Sequence, residues 1–171
     1  MTDWRRLLEN HGPLVWKTLK RLIDDPSDAA DCFQDTFLAA WRRQSREPIQ
    51  SWEALLIHLA TIQALDCLRQ KIKHRLFRHS HDSEQFIDTK TLRPDDALLQ
   101  QEWARDFRKA LGEIDKRQAT VFCMVYFEEL SYEVIADACS ISVSNVGVLY
   151  HRAKAALKEQ LQETYHPTLN T

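Results

Sequence analysis

Apolar residues recur along most of this 171-residue chain at helical spacing. Behind Pro13, which suits the first turn of a helix, Leu14, Val15, Leu19, Leu22 and Ile23 share one side. Asp24-Asp25-Pro26 closes that segment. Ser27 then offers a cap for a second helix running to about Gln44, with Phe33, Phe37 and Trp41 at every fourth position. Glu47-Pro48-Ile49-Gln50 reads as a connector. Ser51 caps a third helix from Trp52 to about Leu76, whose stripe is Leu55, Leu59, Ile62, Leu65, Leu68 and Ile72. From 77 to 94 the period vanishes into polar residues, which reads as a linker. Helix resumes near Asp95, with Leu99, Trp103, Phe107 and Leu111 at spacing four, and again after Asp115, with Val121, Phe122 and Val125.

Residues 131–161 have a layout of their own. Ser131 is an N-cap candidate, Glu133 complements the helix dipole, and Ile135, Ala136 and Ala138 form a small apolar face. Ser140-Ile141 interrupts the pattern and Ser142 offers a second cap. Val146, Tyr150, Ala153 and Leu157 then make a stripe, leaving Ser144, Asn145, Val148, His151 and Arg152 opposite. A short helix, a turn of about three residues and a longer helix are the layout of a helix-turn-helix, whose second helix enters the DNA major groove. A helical hairpin that merely closes a bundle has the same outline. The expected fold is all-α: two small helical domains, 1–76 and 95–171, joined by a flexible linker at 77–94, the second domain a helix-turn-helix.

Composition sharpens this picture. Three glycines and five prolines leave few turn residues, and 44% hydrophobic content is enough for real cores. The net charge of −2 gives no global basic field, which argues against tight unaided binding to DNA. The charge is nevertheless segregated. Residues 22–41 hold five aspartates and no Lys or Arg, while 67–81 hold Arg69, Lys71, Lys73, Arg75 and Arg78 and no acid. Four cysteines without a CxxC pair read as buried reduced thiols of a cytoplasmic protein. Trp4, Arg5, Arg6 and Glu9 break any signal-peptide pattern, and the uncharged run 54–65 is too short to span a bilayer, so no membrane insertion is expected. There is no Gly-rich phosphate loop, nucleophile motif or paired acid set, so no catalytic residues are expected. His74, His79 and His81 lie in a polar segment without a scaffold for a metal, and neither metal nor cofactor is expected.

Two regions carry a family resemblance. Asp28 to Arg43, DAADCFQDTFLAAWRR, resembles the polymerase-docking helix of the sigma-70 family of RNA polymerase sigma factors, whose form is near D-x-x-Q-E-x-F-x-x-x-W; Asp31, Gln34, Asp35, Phe37 and Trp41 match or nearly match. Leu130-Ser131-Tyr132-Glu133, Ile135-Ala136 and His151-Arg152-Ala153-Lys154 resemble the same family's C-terminal DNA-binding region. Between them, Leu55-Leu56, Leu59-Ala60, Asp66 and Leu68-Arg69 are similar to its promoter-melting helix. The ordered set at this length points to the small extracytoplasmic-function (ECF) group.

The resemblance implies a transcription initiation factor, not an enzyme, whose partners are core RNA polymerase, promoter DNA and an anti-sigma protein. It assigns Asp31, Gln34, Asp35, Phe37 and Leu38 to the polymerase. Minus-ten DNA would be met by Trp52, Gln63, Asp66, Arg69, Lys71, Lys73 and Arg75, with the loop 46–51 and Trp52 receiving an unpaired base. Minus-thirty-five DNA would be met by Ser142, Ser144, Asn145, Val148, His151, Arg152 and Lys154. Gly147 and Leu149 stand where the family carries outward basic residues, which implies fewer phosphate contacts and apolar contact with thymine methyls. Residue chemistry alone leaves other readings open: a solvated charged face on the second helix, core packing for Trp52, and a solvated Asn145. A stand-alone helix-turn-helix regulator with a helical dimerisation or sensing domain is the alternative function.

Overall fold

The computed structural model describes residues 2–46, 48–81 and 96–165. Every regular element among them is a helix: α1 (Trp4–Leu22), α2 (Pro26–Gln44), α3 (Trp52–His81), α4 (Asp96–Glu113), α5 (Lys116–Tyr126), α6 (Tyr132–Cys139) and α7 (Val143–Tyr165). None of them is long and apolar enough to cross a membrane.

Local capping sets most starts. Ser51 Oγ accepts from the Ala54 N–H (3.2 Å), Asp115 Oδ1 from Arg117 and Gln118 (3.0 and 3.1 Å), and Ser131 Oγ from Val134 (3.4 Å). Two starts differ from expectation. The first helix begins at Trp4, where the Asp3 carboxylate accepts from Arg6 (3.1 Å) and Leu7 is buried, so Pro13 lies inside α1 and not in its first turn. The second is capped by Asp25, not Ser27: its carboxylate accepts from the Ser27 and Asp28 N–H groups, with Pro26 in the first helical position, where a missing N–H is harmless. The Asp28 N–H, then that of Ser27, holds the Asp25 carboxyl below its ordinary range. The third helix continues past Leu76 to His81, taking in the first residues of the expected linker; 82–95, the rest of it and the next residue, lie outside the described residues.

The buried face of α2 also differs. Ala29, Cys32, Thr36 and Ala40 face the core, while Phe33 and Phe37 are half-buried and Trp41 is 53% exposed. Small residues allow α2 to lie close against α3, so the aromatic row is displaced to the rim. The first half of α3 is buried nearly all round, with Ala54, Leu55, Leu56, Ile57, Ala60, Thr61, Ala64 and Leu65 shielded. That marks it as the central helix. One core joins Leu19, Ala29 and Leu65 to Leu111, Phe122 and Leu157; a second joins Ala54 and Ile57 to Met124, Ile135 and Val146. Both cores therefore span the two halves of the sequence.

Candidate docking and nucleic-acid interfaces

Three surfaces follow from this frame. The first is the outer side of α2. Because Cys32, Thr36 and Ala40 turn inward, Asp31, Gln34 and Asp35 point outward and are exposed, as is Leu38 at 49%. Phe37 is half-buried, its ring 5.0 Å from that of Phe33, which in turn meets Trp16 edge-on at 6.0 Å. Trp41 belongs to this surface as well, because the residues the helix buries lie on its other side. The result is a carboxylate row beside apolar side chains, a chemistry that repels phosphate and suits a protein surface.

The second surface is the far half of α3, and here the structure holds most of the expected residues in internal contacts. Arg69 donates through Nε to the Gly112 carbonyl (3.0 Å) and through Nη2 to that of Ile114 (2.7 Å). Asp66 is bridged to Lys116 Nζ at 2.7 Å. Lys71 is bridged to Asp28 at 2.5 Å, and that hydrogen bond, acting against burial, raises its pKa. Trp52 packs on the core edge-on to Trp4 at 5.6 Å, as the core-packing reading holds, and the backbone carbonyl of the half-buried Gln63 faces Cys32 Sγ at 3.8 Å. Lys73 and Arg75 are exposed. Beside the 48–51 loop, a cavity of about 230 Å³ separates Pro48, Ile49 and Gln50 from Asp137, Ala138 and Ser140 of the helix-turn-helix.

The third surface is α7 with its turn. Ser140 caps α6 in the left-handed region (φ 56°, ψ 47°), a conformation that costs a non-glycine residue about 1 kcal/mol. Its hydroxyl accepts from Arg43 Nη2 at 3.1 Å. Ser142 Oγ accepts from the Asn145 N–H (3.2 Å), so Ser142 acts as the cap of α7. Ser142, Ser144, Val148, His151, Arg152 and Lys154 are exposed, and Asn145 is half-buried. Lys154 Nζ lies 4.5 Å from the Tyr150 ring centroid. Leu149 is not outward: at 8% exposure it joins Val146 and Ile135 in the second core. Residues 146, 149, 153 and 157 all face inward on α7, so Leu149 does not share the exposed side with Ser144, Val148 and Arg152.

Several residues that sequence reasoning passed over hold these surfaces together. Glu128, 6% exposed at its side chain, accepts from Arg21 Nη1 (2.6 Å) and Thr18 Oγ1 (2.9 Å). Arg108 donates to the Arg21 carbonyl (2.9 Å) and to Asp24 (2.6 Å). His58 is buried in α3, and burial, then the nearby Arg43 charge, lowers its pKa to about 4. The cysteines are free thiols, and burial pushes those of Cys32 and Cys123 up to about 12.

Comparison with known proteins finds two family matches in order along the chain. Residues 7–83 match the family described as Sigma-70 region 2, and residues 104–157 match Sigma-70, region 4. The chain is 25% identical over 163 residues to the ECF RNA polymerase sigma factor SigE of Mycolicibacterium smegmatis, covering 94% of this chain and 62% of that protein. It is 28% identical over 142 residues to the RNA polymerase sigma factor YlaC of Bacillus subtilis, covering 80% and 79%. Its fold is similar to that of CnrH in complex with the cytosolic domain of CnrY (TM-score 0.56, 21% identity, covering 93% and 87%). It is also similar to that of the sigma factor RpoE in complex with the anti-sigma factor NepR from Bartonella quintana (TM-score 0.53, 22% identity, covering 95% and 98%).

Proposed function

The chain belongs to the sigma-70 family of RNA polymerase sigma factors, in its ECF group, and from that premise we propose how its surfaces divide the work of transcription initiation. The outer side of α2, with Asp31, Gln34, Asp35, Phe37, Leu38 and Trp41, docks on core polymerase. Residues 1–76 and the loop before α3 serve the minus-ten element. Residues 95–171 serve the minus-thirty-five element through α7: Ser144, Asn145 and Val148 reach base edges, and Arg152 and Lys154 hold phosphates. The observation that carries this reading is the order of the two family matches on the two halves that bear these exposed sets.

The protein is not itself an enzyme in this reading; the polymerase it recruits does the chemistry, in the cytoplasm. A net charge of −2 and few cations on α7 leave each DNA contact weak alone. Bound to polymerase, the two weak contacts act together through effective concentration. An anti-sigma protein is a further partner, by analogy with RpoE and NepR. A stand-alone regulator would need a dimer and a palindromic site, and no observation favours it.

The test is reconstitution. Purified protein mixed with core polymerase and genomic promoter DNA should give specific transcripts. The double substitution Asp35→Lys, Leu38→Lys should weaken binding to core by about 30-fold, on the order of 2 kcal/mol, with the unfolding midpoint unchanged. Folded wild-type protein that directs no specific transcript with active core would overturn the proposal.

A further inference from the structure

We infer that the cavity between α3 and α4 is a binding site for a small amphipathic anion, a molecule with an apolar body and one carboxylate. The cavity lies among the turn from α1 to α2, the far half of α3 and α4. Its volume of about 660 Å³ falls within the roughly 300–1,000 Å³ that small-molecule sites occupy. Its floor is apolar. Leu22 and Ile23 at the end of α1 are 4% and 2% exposed, and Leu68 and Ile72, one turn apart on α3, add half-buried side chains. Its outer edge is cationic. Arg75 on α3 and Arg105 and Lys109 on α4 are exposed and line the same cavity, the last two one turn apart on one helix face. The described lining holds five Lys or Arg side chains and three aspartates, so the surplus is positive. The aspartates are already engaged. Asp24 takes Arg108 at 2.6 Å, Asp25 accepts from the Ser27 and Asp28 N–H groups, and Asp106 is not free. Among the described residues, by contrast, no ion pair holds Arg75 or Arg105, and Lys109 meets Glu113 only at 4.0 Å. An apolar floor under unpaired cations fits a chain or ring lying on α1 and α3 with its carboxylate turned out to a guanidinium fork. A neutral apolar molecule would gain nothing from the cations, and a bare anion would leave the floor wet.

The probe is decanoate, added to the full chain below its micelle concentration and followed by isothermal titration calorimetry. Decyltrimethylammonium has the same chain and the opposite charge, and should bind at least about tenfold more weakly. Acetate, which lacks the chain, should not bind measurably. Arg105→Glu combined with Lys109→Glu should weaken decanoate binding about 30-fold. Arg5→Glu combined with Lys17→Glu makes the same charge change at exposed positions of α1 that do not line the cavity, and should stay within about twofold of wild type. Cys67, half-buried on the cavity wall, tests the floor: Cys67→Phe fills it without changing charge and should weaken decanoate at least about tenfold. Folding of each variant is checked by circular dichroism, and the surface charge pair decides the matter if Cys67→Phe does not fold. Absence of decanoate binding, equal binding of the two ten-carbon probes, or equal losses in the two charge-reversed proteins would overturn the site. Neither polymerase nor DNA enters the measurement, so such a result leaves the proposed division of surfaces standing.

Discussion

Two charged surfaces of the first half invite comparison: the outer side of α2 and the far half of α3. Both stand out in the sequence as one-sign windows, acidic over 22–41 and basic over 67–81. In the structure they have opposite fates. On α2, Asp31, Gln34, Asp35 and Leu38 remain open. On α3, Asp66, Arg69 and Lys71 are engaged by Lys116, the Gly112 and Ile114 carbonyls and Asp28. The difference comes from position. The buried side of α2 is made of small residues against α3, and its polar side is exposed among the described residues. Helix α3 runs through the middle of the molecule, and its flanks meet α4, α5 and α6. A charged helix face therefore says what it can bind, while the surrounding elements decide what it already holds.

This contrast can be broken first at Glu128. Its carboxylate is buried between Arg21 and Thr18 and ties α1 to the turn before α6. Glu128→Gln keeps the shape and removes the charge, stranding an Arg21 side chain that is only 25% exposed. The expected loss is about 3 kcal/mol in denaturant unfolding, near the lower end for a broken buried pair because Arg21 keeps some water. Substitutions on the open side of α2 should stay within about 0.5 kcal/mol of wild type in the same measurement. Equal losses at the two places would erase the distinction.

Acid provides a second probe of the joined surface. His58 is buried, and burial, then the nearby Arg43 charge, lowers its pKa to about 4 from an ordinary 6.5. Because the folded value lies below the unfolded one, the unfolded chain takes up the proton first as pH falls. Stability due to neutral His58 is complete above about 6.5 and is lost progressively down to about 4, by up to about 3 kcal/mol. Unfolding free energies of wild type and His58→Gln measured across this window should differ in slope, the wild type falling more steeply. Parallel curves would show that His58 is not held neutral at the junction between α3 and α6.

How far the fold could be read in advance depended on the range of the forces involved. Caps at Ser51, Asp115, Ser131 and Ser142 were legible because donor and acceptor lie within three residues of each other. Val146, Ala153 and Leu157 of the expected α7 stripe are buried for the same reason, whereas Tyr150 is half-buried and Leu149, expected outward, takes an inward place. Where two local rules compete the start is ambiguous: Pro26 in the first helical position outranks Ser27 as a start signal, and Asp3 starts α1 well before Pro13. The side α2 buries is hidden in the sequence, because aromatic rings look more like core than Ala29, Cys32, Thr36 and Ala40 do, although only small side chains let two helices lie this close. The partners of Asp66 and Arg69 were not legible at all. They lie 50, 43 and 45 residues away, and nothing in the local pattern of Lys116 or Gly112 marks them as neighbours of α3.

The smallest expected effect sharpens the comparison on α7, whose outward side is open like that of α2 yet carries little charge. Gly147 lies inside this helix, half-buried, with ordinary helical backbone and no positive φ. An added Cβ would meet the Tyr132 ring at 3.5 Å, an ordinary contact, so neither turn geometry nor crowding demands glycine there. Gly147→Ala should therefore stabilise the protein by up to about 1 kcal/mol through helix propensity alone. Gly147→Arg should retain part of that gain and add one phosphate contact, raising the salt dependence of DNA binding by about one counterion while leaving binding to core polymerase unchanged. A Gly147→Ala protein less stable than wild type would mean that Tyr132 cannot give way and that glycine is required by packing. A Gly147→Arg protein with an unchanged salt slope would mean that this side of α7 does not face the DNA backbone.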